Sequence, residues 1–283
     1  MSQCKYACGR AAEKGKSRCR TCRRADKGNA TPLVRSSAMR VLLIDIETSP
    51  NLAHVWGLWN NNVSLNQLME STEMLCFAAK WLGAESTTFS SSHQDGREGM
   101  VRYAWHLLDQ ADVVMHYNGK SFDVPHLNRE FIEAGLAPPS PFKQVDLLLA
   151  VRKNFRFPSN KLQYVSTKLG LAGKAGHEGH DLWVKCMAGD AAAWKRMEAY
   201  NRQDVILLEQ LYQKLLPWVP TLPNRHLYGD TGCPACGAEG SLVRNGYAYT
   251  GVSRYQQYRC SDCGTYFRPT KRIDGVGLAQ VVR

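Results

Sequence analysis

The chain has 283 residues, 44% of them hydrophobic and 22% charged, a composition that excludes a disordered or fibrous protein and allows one full core with small appendages. No stretch reaches the roughly 20 apolar residues needed to span a bilayer, and the first residues, MSQCKYACGRAAEKGK, lack the apolar run of a secretory leader, so a cytoplasmic location without a membrane partner is expected. The net charge of +11 is uneven: residues 1–40 carry eleven Lys/Arg against two acids, residues 225–283 eight against four, and the middle seventeen against nineteen. Basic ends around a mildly acidic middle point to nucleic acid, with the ends supplying the phosphate attraction that the middle lacks.

In chain order, residues 1–24 hold Cys4, Cys8, Cys19 and Cys22 in a C-x3-C-x10-C-x2-C pattern among Lys, Arg and Gly. Nineteen residues of this composition cannot bury a core, so a tetrahedral zinc ion is expected to hold them as a knuckle. Residues 25–38 read as a linker. From 39 to 224 the pattern is that of a globular domain. It opens on RVLLIDIETSP, an apolar run ending in Asp45 and Glu47. Two residues apart on a strand, both carboxylates face the same side and can converge on one metal ion.

After this strand, Leu52 to Trp59 and Met74 to Leu82 have strand-like apolar and aromatic density, predicting an antiparallel ribbon with the first strand. Gly99 to Gln110 shows helical spacing of Val101, Ala104, Trp105 and Leu108, and Asp112 to His116 reads as a buried strand. Asn118-Gly119 marks a turn. Phe122 to Ala134 reads as a helix with Asp123 in its first turn, Val145 to Ala150 as the last strand of the sheet, and Lys161 to Leu171 as a short helix. The Gly-rich stretch from Ala172 to His180 reads as a loop, its His177 and His180 as surface histidines. The final helix runs from about Ala191 to Trp218, with Tyr200 and Asp204 one turn apart on one face. Cys76 and Cys186 sit among apolar neighbours and read as small buried residues.

Residues 225–283 contain CPACG and CSDCG, whose ligands Cys233, Cys236, Cys260 and Cys263 are separated by twenty-three residues. A Gly after each C-x2-C pair serves the tight knuckle turns of a zinc ribbon. The intervening chain mixes basic and aromatic residues.

Taken together, IDIET, YNGKSFDVPHL and YNRQD, in this order, resemble the exonucleases that carry four acidic residues and a tyrosine (the DEDDy type) on an RNase H-like fold, above all the proofreading domain of family B DNA polymerases. The resemblance covers roughly Arg40 to Leu216. It implies an α/β fold, an RNase H-like mixed sheet flanked by helices, to which the cysteine patterns add small zinc-binding modules at both ends. It further implies removal of nucleoside 5′-monophosphates from a 3′ end, with Asp45, Glu47, Asp123 and Asp204 holding two Mg²⁺ or Mn²⁺ ions and Tyr200 orienting the attacking water. Where the histidine variant of the family has its base, this chain has Ala199, which favours the tyrosine type. Thr48, Asn118 and Phe122 match positions close to the single strand. The substrate is expected to be DNA, with RNA as the alternative; a polymerase or repair partner, and a non-catalytic zinc-dependent binding protein, remain open alternatives.

Overall fold

Val41 to Ile44 are buried throughout, as in a strand with neighbours on both sides and helices on both faces. The computed structural model describes residues 38–171, 179–219 and 221–277. The cysteine cluster Cys4, Cys8, Cys19 and Cys22, nearly all of the expected linker, and His177 lie outside these residues. The described chain begins with β1 (Val41–Thr48), β2 (Leu52–Ala53), β3 (Leu68–Glu70), β4 (Met74–Trp81) and β5 (Thr88–Ser91). There follow α1 (Ser92–Asp109), β6 (Val113–His116), α2 (Asp123–Glu133), β7 (Lys143–Asp146), α3 (Leu147–Asn154), α4 (Leu162–Lys168), α5 (His180–Met187) and α6 (Ala191–Leu215). Four further strands complete it: β8 (Leu242–Tyr249), β9 (Ser253–Cys260), β10 (Tyr266–Phe267) and β11 (Asp274–Gly275).

Two compact units result, one holding Arg40–Gln210 and the other Leu211 onward. The first is built on a five-stranded mixed sheet in the order β5-β4-β1-β6-β7. β1 pairs antiparallel with β4 and parallel with β6, while β4/β5 are antiparallel and β6/β7 parallel. Helices therefore flank a mixed sheet, the architecture expected from the sequence. One face of the sheet, with Leu42, Ile44 and Ile46 of β1 and Phe77 and Ala79 of β4, packs in a single cluster with Met100, Ala104 and Leu108 of α1 and with Leu127 and Phe131 of α2. Each Leu, Ile, Met or Phe among them contributes about 1.5–3 kcal/mol through burial alone, and the alanines less.

Residues of the opposite face alternate with these: Leu43, Asp45 and Glu47 on β1 lie across from Lys80, Ala78 and Cys76 on β4. Helix α6 covers this face. Its Asn201 contacts Asp45 and Cys76, and its Glu209 forms an ion pair with Lys80 and accepts from the Gly83 N–H at 2.9 Å. The beginning of β4 is fixed by the buried Glu130 of α2, which accepts from the Met74 N–H at 2.9 Å and pairs with Arg97 at 2.9 Å. The second unit carries a small sheet with β9 central, flanked by β8 on one side and by β10 and β11 on the other. Among the described residues no helix is long and apolar enough to cross a membrane.

Several elements differ from the sequence reading. Leu52 to Trp59 is a strand only at Leu52–Ala53; beyond it Trp56, Leu58 and Trp59 are solvent-exposed, so aromatic density there reflects no pairing. Val145 to Ala150 divides between the end of β7 and the start of α3, because the Asp146 carboxylate caps the helix by accepting from the Leu148 N–H at 3.0 Å. The helix expected from Gly99 is preceded by a turn from Ser92, set off by Gly96 at φ 69°. β5 and α5 were not anticipated, and the last helix ends at Leu215, followed by a 3₁₀ turn at Leu216–Trp218.

Candidate active site and cysteine cluster

Strand pleating points Asp45 and Glu47 to the side covered by α6, and a register shift after Glu47, where Thr48 pairs with Met74 rather than Leu75, ends the regular ladder beside them. Helix α6 brings Asp204 to the same place. One carboxylate oxygen from each of Asp45, Glu47 and Asp204 lies within 4.8 Å of the others. Asp45 and Glu47 are half-buried and Asp204 is buried. Like charges gathered this closely repel unless a cation neutralises them, and hard oxygen donors suit Mg²⁺ or Mn²⁺.

Tyr200, one turn before Asp204, is 6% exposed, with its ring edge-on to Trp183 at 6.0 Å between centroids. Burial raises its phenol well above the ordinary range; the charges of Asp204, Glu47 and Asp45 and a hydrogen bond with Asp204 add to the rise. The hydroxyl thus stays protonated beside three carboxylates. A bound divalent ion reverses the sign of that local field.

Asp123 lies in the first turn of α2, 3% exposed, and its Oδ1 accepts from the Ile46 N–H at 3.0 Å. Burial pushes its carboxyl up to about 7 against hydrogen bonds from the Ile46 and Asp123 N–H groups, with the Asp146 charge adding to the rise. Among the described residues the three-acid cluster does not include it. Its approach to β1 depends on Gly119: a Cβ there would stand 2.4 Å from His116 Cγ and 2.9 Å from Asp123 Oδ2. Of the expected strand-contacting residues, Thr48 is half-buried at the register shift and Phe122 is 38% exposed, its ring 4.7 Å from that of His126. Asn118 occupies the left-handed region at φ 71°, its N–H bound to Asp146 Oδ1 at 2.9 Å. His180 is exposed at the start of α5, whereas Cys76 and Cys186 are buried.

Two residues were missed. Asn201, fully buried, donates from Nδ2 to Asp45 Oδ2 at 2.7 Å and contacts the Asp45 carbonyl at 3.3 Å. Asp146 holds the loop before α2 through the N–H groups of Asn118 and Lys120 (2.9 and 3.3 Å) and stands 3.6 Å from the His116 imidazole, which burial keeps below its usual pKa. Asp146 stands in no motif, and Asn201, although it is the second residue of YNRQD, carries no periodic signal of its own. Groups that orient a metal-binding carboxylate contribute about 10- to 100-fold to metal affinity or activity. Asn201→Ala is accordingly expected to weaken Mn²⁺ binding at this cluster by about that factor, read from a metal titration of the purified protein.

In the second unit, the Sγ atoms of Cys233, Cys236, Cys260 and Cys263 all lie within 4.8 Å of one another, with Cys233 to Cys263 at 3.7 Å and Cys236 to Cys260 at 3.8 Å. Four thiolates about 2.3 Å from a tetrahedral zinc ion stand about 3.8 Å apart, whereas a disulfide needs about 2.05 Å. Burial raises the Cys233 and Cys236 thiols. At Cys260 burial also acts upward, but hydrogen bonds with the Cys263 N–H and the Ser241 hydroxyl outweigh it and bring the thiol down to about 6.

No curated protein sequence matches the chain. Among solved structures, a family B DNA polymerase from the hyperthermophilic archaeon Pyrobaculum calidifontis is similar at 16% identity and a TM-score of 0.48, over 78% of this chain and 33% of that one. This chain thus spans about a third of that polymerase. The sequence itself matches the RNase H superfamily over residues 42–216, more than half of its length, and the chain belongs to that superfamily.

Proposed function

We propose that the chain is a metal-dependent 3′-to-5′ exonuclease of the tyrosine type that releases nucleoside 5′-monophosphates from DNA. Superfamily membership supports nuclease-type chemistry on a nucleic-acid substrate. The observation that carries the finer reading is the meeting of Asp45, Glu47 and Asp204 within 4.8 Å, with the Tyr200 hydroxyl in the same charged field.

Asp45, Glu47 and Asp204 are the residues to hold divalent cations, with Asp123 supporting the set from the loop side. When bound, such a pair of ions supplies charge neutralisation at the scissile phosphate and a more acidic water. The chain contributes positioning. Asn201 fixes the Asp45 carboxylate, Ile46 fixes that of Asp123, and Tyr200 holds its proton toward Asp204, which suits orienting a water better than abstracting its proton. Thr48, Asn118 and Phe122 are assigned to contacts with the terminal nucleotides. We place the domain at 39–224, with a zinc knuckle at 1–24, a linker at 25–38 and a zinc ribbon at 225–283. One zinc ion is assigned to each cysteine cluster.

The test is incubation with Mg²⁺ or Mn²⁺ and 5′-labelled single-stranded DNA, duplex DNA and RNA of one sequence. A ladder shortening from the 3′ end, with mononucleotide products, is expected; cutting of a closed circle by the wild type and not by an Asp45 variant would sink the exonuclease reading. Tyr200→Phe deletes one hydroxyl and keeps the ring against Trp183. Misplacing a reacting group by about 1 Å can cost about 10²-fold, so turnover should drop by about that factor with little change in KM, measured by steady-state kinetics on single-stranded DNA.

A further inference from the structure

We propose that one face of the β8–β9 ribbon binds single-stranded nucleic acid, with Tyr247 and Tyr249 as stacking platforms. The proposal takes its ligand class from the nucleic-acid reading above but not from the catalytic chemistry.

Directly opposed residues of an antiparallel pair share a face. Leu242 opposes Cys260 and Arg244 opposes Tyr258; beyond a register shift, Tyr247 opposes Gln256 and Tyr249 opposes Arg254. An uninterrupted strand would alternate from Arg244 and turn both tyrosines to the other side, since a one-residue slip reverses every side chain. The extra residue falls at Asn245-Gly246, with Gly246 in the left-handed region at φ 65°. The bulge therefore places Tyr247 and Tyr249 on the face that carries Arg244, Arg254 and Tyr258.

Both rings stay in solvent, 48% and 70% exposed, so neither is spent on a core. Arg254 lies 5.0 Å from the centre of the Tyr247 ring and is itself clamped by Asp274, with Nε to Oδ1 at 3.1 Å. This fixes the ring in place, which lowers the entropy lost when a base stacks on it. Residues two apart on a strand are about 7 Å apart. That spacing lets each ring take one base of an extended strand, and it does not match stacked nucleotides at about 3.4 Å per step in one strand of a duplex, whose base faces are in any case covered. The ligand's charge fits as well. Residues 241–277 carry six Lys/Arg against Asp262 and Asp274 alone, so the segment as a whole attracts phosphates, with Arg244 on this face beside the Arg254–Asp274 pair, while aromatic stacking tolerates any base.

The test is fluorescence anisotropy on the full chain carrying Asp45→Asn, so that the probe is not consumed, with a labelled oligo-dT strand and a labelled hairpin duplex at one salt concentration. Tyr247→Ala with Tyr249→Ala is expected to weaken single-strand binding about tenfold or more, with duplex binding within about twofold and zinc content equal to the parent. The double Phe variant keeps the rings and should stay within about twofold of the parent on both probes. If the double Ala variant loses zinc, Tyr249→Ala alone decides, with a loss of about fivefold or more on the single strand. Single-strand affinity unchanged in the Ala variants overturns the proposal; so does an equal fall on both probes, which assigns the face to duplex. No binding of either probe by the parent overturns the nucleic-acid reading of the ribbon. The cleavage ladder, run separately with the wild-type protein, judges the catalytic reading on its own.

Discussion

Replacing Asp45 by Asn is expected to reduce Mg²⁺-dependent cleavage by at least about a thousandfold while leaving the metal-free protein as stable as the wild type or more so. The two halves of this result have one origin. Asp45, Glu47 and Asp204 are held within 4.8 Å of one another by a β-strand and a helix that cannot move apart without opening the core. In the absence of a cation the three charges repel, and Asn at position 45 removes one of them with almost no change of shape. Its carbonyl oxygen remains available to the Asn201 amide, now at 2.7 Å from the Asp45 carboxylate. What is lost, on the proposed function, is a charged metal ligand. Lewis-acid stabilisation by a bound metal amounts to several kcal/mol, and about 4 kcal/mol is a factor of ~10³. Single-turnover cleavage and thermal melting in the absence of metal measure the two quantities. A variant that keeps more than about a hundredth of the activity, or one that melts well below the wild type, would remove Asp45 from the catalytic role.

The legible parts of this fold are those where one local signal suffices. β1 is a buried run that ends in two polar residues of equal facing, and nothing but a central strand satisfies Val41 to Glu47. The α6 pair Tyr200 and Asp204 is readable because helical spacing alone fixes their common face, and the C-x2-C pairs are readable because the knuckle needs Gly237 and Gly264, both at positive φ. The illegible parts are those decided by partners. Leu52 to Trp59 has strand composition, yet only two residues find a neighbour, and Trp56 is left fully in solvent. Val145 to Ala150 is a short apolar run, for which periodicity cannot separate strand from helix; the Asp146 side chain settles it by capping α3. The site shows the same division. Asp45, Glu47 and Asp204 come together as their spacing allows, whereas the Asp123 environment depends on the Ile46 N–H and on the tight approach at Gly119. Asn201, though inside YNRQD, could not be assigned a role from sequence, because that role exists only once α6 lies on β1.

Removing zinc from the C-terminal cluster, by Cys236→Ser or by a strong chelator, is expected to unfold the β8–β9 ribbon while the mixed-sheet unit stays folded. Among the described residues from 221 to 277 only Cys233, Ala235, Ser241 and Cys260 are buried, and β8 has no buried residue at all. Two of those four are ligands, which leaves Ala235 and Ser241 as the only other buried residues that 221–277 contribute. A buried Val- or Leu-sized side chain contributes about 1.5–3 kcal/mol, and Ala less, while ordering each residue costs about 1.5 kcal/mol. Burial of this extent cannot hold some forty residues in one conformation. A structural zinc ion at four thiolates contributes about 10–16 kcal/mol near pH 7, enough to decide the balance. The Sγ separations of 3.7 and 3.8 Å are those of a metal tetrahedron, so oxidation to disulfides would have to distort the knuckles and does not substitute for it. The five-stranded sheet of the first unit rests on the apolar cluster between β1, β4, α1 and α2, which contains no cysteine ligand. Limited proteolysis should therefore cut the zinc-free protein within residues 231–277 and spare 40–210, and Cys236→Ser should lower the zinc content by one ion per chain. A ribbon equally resistant to protease with and without metal would mean that its strands are held by something other than the four thiolates.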